Sequence, residues 1–155
     1  LRFPGIISHR AQPGGGTTDY AVEIFHEALA KSRYQCFVRS DTTLPMLYMP
    51  DALDAVVLLM DAAPSRIRVR TSCNVTGLSF TALQLAEEIR KHLPGFQAVF
   101  QPDERQGIAD SWPSSIDDSP ARRDWGWKPS HDLAAIVTDM LGHLGKDMGQ
   151  GGRNE

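Results

Sequence analysis

The order of apolar segments constrains the fold of this sequence more than any single motif. Short apolar or β-branched runs occur at 1–8, 34–38, 44–49 and 96–101, with a weaker strand candidate at 70–75. Between them, apolar residues recur every three or four positions, which predicts amphipathic helices, whereas the short runs predict strands. Alternation of strands and helices along a chain of 155 residues predicts an α/β fold.

Two of the predicted helices have marked starts. Asp51 is expected to cap a helix whose buried stripe would be Leu53, Val56, Val57 and Met60. Thr81 and Gln84 have the spacing of a capping box at the start of a later helix. The last helix is expected to end near residue 144, which leaves 145–155 as a disordered tail.

Composition excludes several function classes. The net charge of −3 gives no electrostatic reason to expect nucleic acid or an anionic membrane as partner. No apolar run has membrane-spanning length, and the start does not resemble a signal peptide. Cys36 and Cys73 lack Cys-x-x-Cys spacing and predict buried thiols. The five histidines show no two-residue or four-residue spacing to one another, so no metal site is predicted.

The segment "AQPGGGTTDY" at 11–20 raises the question of what its three glycines hold. A dinucleotide fingerprint is excluded because Asp19 stands where the third glycine should be, and no Walker pattern occurs. The loop nevertheless precedes a helix that Thr17 or Thr18 would begin, so its amides and hydroxyls could receive a small carboxylate. The alternative is a flexible turn followed by an N-cap.

The aromatic residues supply no catalytic pair of the short-chain reductase type. Such enzymes place a tyrosine and a lysine four residues apart on one helix face, where the lysine lowers the tyrosine pKa. Tyr20, Tyr34 and Tyr48 are each followed at that distance by an apolar residue. Trp112 lies in a polar loop, "IADSWP", and is either a packing anchor or the wall of a pocket.

Six segments together resemble one family: "LRFPGIIS", "PGGGTTDYA", "LPMLYMPDAL", "NVTGLSFT", "IADSWP" and "IDDSPARRDWGWKP". They resemble the NAD-dependent L-threonine 3-dehydrogenases of the extended short-chain dehydrogenase superfamily, relatives of the UDP-galactose 4-epimerases. The resemblance runs in order over residues 1–144 and corresponds to the carboxyl-terminal half of such an enzyme. It implies a Rossmann-type fold in which residues 1–8 form a strand of the cofactor sheet and the remainder is mostly the small substrate-binding lobe.

The resemblance also implies roles for individual residues. Pro4, Gly5 and Ile6 match a turn whose backbone faces the nicotinamide of NAD. Gly16, Thr17 and Thr18 match a loop that closes over L-threonine, and Trp112 matches a tryptophan lining the same pocket. The implied reaction oxidises the threonine hydroxyl to 2-amino-3-oxobutanoate, with a tyrosinate taking the proton.

No catalytic residue is expected within this chain, because the glycine fingerprint and the Tyr-x-x-x-Lys pair would both lie upstream of Leu1. The isolated chain is therefore predicted to be inactive. The complete enzyme is expected to be a homodimer, cytoplasmic in a bacterium or mitochondrial in an animal.

The sequence departs from the family pattern at three positions. Thr43 stands where a basic residue is expected, Cys73 where an aromatic is usual, and Gly107 where alanine is usual. Two other hypotheses remain: a non-catalytic truncated homologue that acts by association, and a sugar-nucleotide epimerase or dehydratase. The glycine loop and Trp112 disfavour the latter, since a sugar nucleotide needs a larger and more basic pocket.

Overall fold

The computed structural model describes the backbone of residues 1–151 and the side chains of residues 1–146. Five strands and six helices occur in these residues. In chain order they are β1 Gly5–Ile7, α1 Tyr20–Lys31, β2 Arg33–Cys36, β3 Thr43–Tyr48, α2 Met49–Asp61, β4 Leu78–Thr81, α3 Ala82–His92, β5 Gln97–Phe100, α4 Arg105–Asp110, α5 Ser119–Trp125 and α6 Leu133–Gly151. The predicted α/β class is confirmed. Among the described residues, no helix combines the length and apolar character needed to cross a bilayer.

The strands form two small sheets. In the first, of order β1-β3-β4, β1 runs parallel to β3 with Gly5 opposite Met46, and β4 runs antiparallel to β3. The second pairs β2 with β5 in parallel, with Arg33 opposite Gln97. All residues of β3 except Thr43 are buried, as expected for a strand that is paired on both sides and covered on both faces.

Most of the core lies between the sheets and three helices. Helices α1, α3 and α6 pack against one another through fully buried side chains that include Phe25, Leu85, Ile89 and Ile136. A second, smaller cluster joins α2 to α5 around Trp125 and Trp127. The indole Nε1 of Trp127 donates to the buried Asp118 carboxylate at 3.0 Å, so the ring is fixed as well as buried.

The helix starts agree with the sequence only in part. The capping box of α3 is confirmed: the Gln84 amide donates to Thr81 Oγ1 at 3.0 Å, and the Thr81 amide donates to Gln84 Oε1 at 2.8 Å. Helix α1, in contrast, has Asp19 at its N-cap position, so the expectation of Thr17 or Thr18 is wrong.

Asp51 is not a cap either. The N-cap of α2 is Tyr48, and Asp51 lies in the first turn with only 1% of its surface exposed. Its carboxylate accepts from the backbone amides of Ser130 and His131 and lies 2.8 Å from His131 Nδ1. The residue therefore ties α2 to the segment that precedes α6.

The expected apolar stripe of α2 faces away from the described core. Leu53, Val57 and Met60 are 60%, 55% and 78% exposed, whereas the buried face consists of Asp51, Ala52 and Ala55. The periodicity correctly predicted a helix, but its assignment of the stripe to the core is wrong because no described residue covers that face. This surface is called the α2 apolar face below.

Two further boundaries differ from expectation. Residues 70–75 form no strand; within the described chain they contribute a single bridge, between Arg2 and Asn74. Helix α6 continues through residue 145 to Gly151, because one interior glycine costs about 1 kcal/mol of helix propensity without stopping a helix. Residues 152–155 of the predicted tail lie outside the described residues.

Candidate functional site

A cavity of about 260 Å³ opens where β1, β3, the loop before α1 and the segment after α4 meet. It is lined by Pro4, Gly5, Thr18, Leu44, Pro45, Trp112, Pro113 and Ile116. The structure thus brings Pro4 and Gly5 together with Thr18 and Trp112, although these residues are far apart in the chain. Ile6, Gly16 and Thr17, the other residues singled out from the sequence, do not line this cavity.

The contact between β1 and the loop before α1 depends on Gly5. A Cβ atom at this position would lie 2.7 Å from Thr18 Cγ2 and 2.7 Å from Met46 Sδ, closer than such atoms approach. Glycine therefore allows Thr18 to pack directly on the β1 backbone. This close approach sets the depth of the cavity on the side of Pro4 and Gly5.

The glycine loop is closed by the chain's own carboxylate. The amides of Gly14 and Gly16 donate to Asp19 Oδ2 at 2.6 and 2.9 Å, and Gly15 has a φ of 91°, in the left-handed region. A ligand carboxylate would therefore have to displace Asp19 to reach the amides of Gly14 and Gly16. The Thr18 side chain is the part of this loop that reaches the cavity.

Trp112 is positioned by α4, which a buried glutamine anchors to the segment before β3. Gln106 Oε1 accepts from the Arg39 amide at 2.6 Å and from Thr42 Oγ1 at 3.1 Å. The Arg39 guanidinium also donates two hydrogen bonds to the Asp110 carboxylate, at 2.8 and 3.0 Å. These contacts fix α4, after which the 46% exposed Trp112 ring stands at the cavity mouth. Sequence analysis did not identify Gln106, because an isolated polar residue carries no spacing signal.

The cavity walls carry no charge. Thr18 contributes the only side-chain hydroxyl among the described lining residues, and the others are apolar apart from the Trp112 indole nitrogen. Pockets for drug-sized ligands are about 300–1,000 Å³, so this one suits a smaller molecule. Charged groups of a ligand would need partners outside this set.

The three tyrosines lack the acidity of a catalytic base. Burial raises the pKa of Tyr20, Tyr34 and Tyr48 above the ordinary tyrosine value, and the Glu23 and Asp139 carboxylates add to the effect at Tyr34 and Tyr48. All three phenols are therefore neutral near pH 7. Their environment is opposite to that of a tyrosine activated by a neighbouring lysine.

Thr43, Cys73 and Gly107, the three residues that depart from the family pattern, lie in different environments in the structure. Thr43 Oγ1 donates to the Asp41 carbonyl at 3.1 Å, next to the cavity-lining Leu44. Cys73 is buried in the smaller core cluster, whereas a Cβ atom at Gly107 would meet nothing within 4 Å. Of the three, Thr43 is the one that adjoins a cavity-lining residue in the chain.

The fold matches solved structures over nearly the whole chain. An L-threonine dehydrogenase from Phytophthora infestans superposes with a TM-score of 0.91 at 50% identity, covering 94% of this chain and 47% of that one. An ADP-L-glycero-D-manno-heptose-6-epimerase from Helicobacter pylori shares the fold at a TM-score of 0.76 but only 18% identity. A third match, an L-threonine 3-dehydrogenase from a metagenome, is described as monomeric.

Sequence comparison gives the same grouping. A mitochondrial L-threonine 3-dehydrogenase from Bos taurus is 51% identical over 148 residues, which is 95% of this chain and 39% of the relative. An uncharacterised epimerase/dehydratase from Staphylococcus haemolyticus is 49% identical over 142 residues, 91% of this chain and 45% of the relative. No family model matches the chain.

The fold of this chain is that of part of an extended short-chain dehydrogenase. It spans about two fifths of the length of the curated relatives that it matches. Within that class it belongs with the L-threonine 3-dehydrogenases, of which it corresponds to a carboxyl-terminal part.

Proposed function

We propose that this chain forms the substrate side of an NAD-dependent L-threonine 3-dehydrogenase. The observation that carries the proposal is the cavity that brings Pro4 and the β1 residue Gly5 together with Thr18 and Trp112. In this proposal L-threonine occupies the cavity, with its methyl group against the apolar wall and its hydroxyl directed toward β1. The fit is one of size and shape, since the cavity is small, mostly apolar and open on one side.

In this proposal Pro4, Gly5 and Ile6 face the nicotinamide ring of NAD. Pro4 and Gly5 both line the cavity, so the ring would lie beside the proposed threonine position. NAD, when bound, supplies the hydride acceptor for oxidation of the threonine hydroxyl to 2-amino-3-oxobutanoate. Thr18 and Trp112 orient the substrate, and Ile6 extends the β1 wall beyond the cavity. Gly16 and Thr17 act indirectly, by holding Thr18 in place.

Catalysis in this proposal needs residues outside the chain. A tyrosine and lysine pair takes the hydroxyl proton, and a glycine fingerprint holds the NAD pyrophosphate. Strand β1 lies at the edge of its sheet and the α2 apolar face is uncovered, two surfaces that a cofactor-binding part would cover. The isolated chain is therefore expected to form no NADH from threonine, and NADH formation by the pure chain would contradict the proposal.

The test of the substrate site uses the chain joined to a cofactor-binding part from a homologous dehydrogenase. Thr18→Ala and Trp112→Ala are expected to raise the KM for threonine while leaving the Kd for NAD nearly unchanged. The matched controls are Thr138→Ala on α6 and Ile108→Ala on α4, neither of which lines the cavity. Equal damage to threonine and NAD affinity would show that Thr18 and Trp112 maintain the fold instead.

Sugar-nucleotide chemistry is the second candidate, because the Staphylococcus haemolyticus relative carries an epimerase/dehydratase name. The cavity argues against sugar-nucleotide chemistry, since about 260 Å³ of mostly apolar space is small for a nucleoside diphosphate sugar. The joined enzyme is therefore expected to turn over threonine but not UDP-galactose. Turnover of the sugar nucleotide alone would reverse the assignment.

Assembly and location belong to the complete enzyme. We propose a homodimer, in a mitochondrion if the source is an animal and in the cytoplasm if it is a bacterium. The alternative is a non-catalytic homologue that acts by association. An inactive joined enzyme, together with binding of the isolated chain to a full-length dehydrogenase, would favour that alternative.

A further inference from the structure

Two imidazoles and a carboxylate meet where the segment after β1 touches α6. His9 lies two residues beyond the end of β1, and Asp139 and His143 lie one turn apart on α6. One ligand atom from each residue lies within 4.8 Å of the corresponding atoms of the other two. None of the three lines the cavity assigned to the substrate.

The distances within this cluster suit one tetrahedral ion. Bonds of about 2.0–2.1 Å to a tetrahedral zinc place two ligand atoms about 3.3–3.5 Å apart. His143 Nε2 lies 3.5 Å from Asp139 Oδ1, so this pair already has the required separation. The His9 ring stacks on the His143 ring with centroids 4.0 Å apart, so the His9 side chain must rotate for one of its ring nitrogens to bind the same ion.

A buried tyrosine orients the carboxylate. Tyr48, which has no exposed surface, donates its hydroxyl hydrogen to Asp139 Oδ2. The other oxygen, Oδ1, is the one directed at His143. Hydrogen bonds of this kind to the second oxygen hold a metal-binding carboxylate in one orientation and strengthen binding.

We propose that His9, Asp139 and His143 bind one divalent transition-metal ion, of which Zn²⁺ is the representative. Two imidazole nitrogens and one carboxylate oxygen match Zn²⁺, whereas Mg²⁺ and Ca²⁺ prefer sets made of oxygen alone. Three protein ligands leave the fourth position to water. Bound metal would join the chain after β1 to α6 and so fix the segment that leads from β1 into the glycine loop.

The test titrates Zn²⁺ into the metal-stripped 155-residue chain, with any purification tag removed, and measures heat by calorimetry. One equivalent is expected to bind, and His9→Ala, Asp139→Asn and His143→Gln are each expected to weaken binding by about tenfold or more. His92→Ala is the matched control, because His92 is an exposed histidine near the end of α3, outside the cluster. Circular dichroism confirms that each variant keeps the helical content of the parent.

Two results would overturn the proposal. One is binding by the three variants at the affinity of the parent chain, or weakening by His92→Ala to the same extent. The other comes from Co²⁺ as a spectroscopic probe: an intense near-ultraviolet band from cobalt–thiolate charge transfer would place the ion on Cys36 or Cys73. A visible cobalt spectrum of a nitrogen and oxygen site, lost in Asp139→Asn, is the expected outcome.

Discussion

Removal of the Asp19 carboxylate should release the glycine loop without unfolding α1. This carboxylate accepts from the amides of Gly14 and Gly16, and Asp19 also provides the backbone carbonyl that accepts from Val22 at 2.9 Å. Asp19→Ala removes the first two bonds and retains the third. The change therefore separates the hold on the loop from the start of the helix.

The size of the effect follows from the bonds that are lost. A hydrogen bond to a charged group contributes about 1.5–3 kcal/mol, and less where water competes for it. Both amides share Oδ2 at an exposed position, so we expect the opening free energy of the loop to fall by about 1–2 kcal/mol. Since 1.4 kcal/mol is a factor of ten, exchange at Gly14 and Gly16 should accelerate about fivefold to thirtyfold.

Amide hydrogen exchange followed by NMR on the 155-residue chain measures this directly. The Val22 amide should exchange at the parent rate, and Asp19→Asn should fall between the parent and Asp19→Ala. Asp41→Ala is the control, because Asp41 is an exposed acid whose carboxylate pairs with Arg39, away from the glycine loop. Unchanged exchange at Gly14 and Gly16 in Asp19→Ala would refute the argument that this carboxylate closes the loop.

Three further outcomes are expected. Gly107→Ala should raise the free energy of unfolding by about 0.5–1 kcal/mol in a urea titration, because α4 has open space for a Cβ atom there; destabilisation would contradict this. Leu53→Glu and Val57→Glu should each change stability by less than about 0.5 kcal/mol and reduce self-association in sedimentation, because both side chains are exposed; a loss of several kcal/mol would place them in a core. Burial raises the pKa of the Cys36 thiol from 9.0 to about 11. As the pH rises, the thiol therefore ionises in the unfolded chain before it ionises in the folded one. The free energy of unfolding should accordingly fall by about 1 kcal/mol between pH 9 and 10. Urea titrations across this range should show no such fall in Cys36→Ala.

Sequence patterns predicted those structural features that depend on residues close together in the chain. The capping box of Thr81 and Gln84 needs only a spacing of three and is present as expected. The α/β class follows in the same way from the alternation of short strands and helices. The capping box is complete within one segment, and each strand or helix shows its own local pattern, so both are visible in the sequence.

Features that depend on distant residues were not predictable in this way. Asp51 resembles an N-cap locally, yet its partners are Ser130 and His131 at the far end of the chain. The α2 apolar face has the period of a buried stripe, but periodicity does not reveal whether a covering element is present. The cluster of His9, Asp139 and His143 leaves no mark in the spacing of the histidines, because its helical pair consists of an aspartate and a histidine.

The cavity was predictable from the sequence only in part. Its residues Pro4, Gly5, Thr18 and Trp112 were singled out through family resemblance, and their convergence in one pocket is a separate observation from the structure. The contact of Asp19 with the loop was not predictable, because the sequence shows only that an acid stands in place of the third fingerprint glycine. Its action on the loop amides requires the backbone geometry at Gly14 and Gly16.

The pairing of β2 with β5 has a consequence for how the chain is made. Arg33 pairs with Gln97, so a ribosome must synthesise most of the chain before this sheet can close. Helix α1 and β2 are synthesised before β5, so their apolar side chains lack this partner until β5 has been made. Pairings between such distant residues slow folding, because the intervening loop loses entropy before the contact forms. Nascent chains halted before Gln97 should therefore be the species that chaperones hold longest during synthesis.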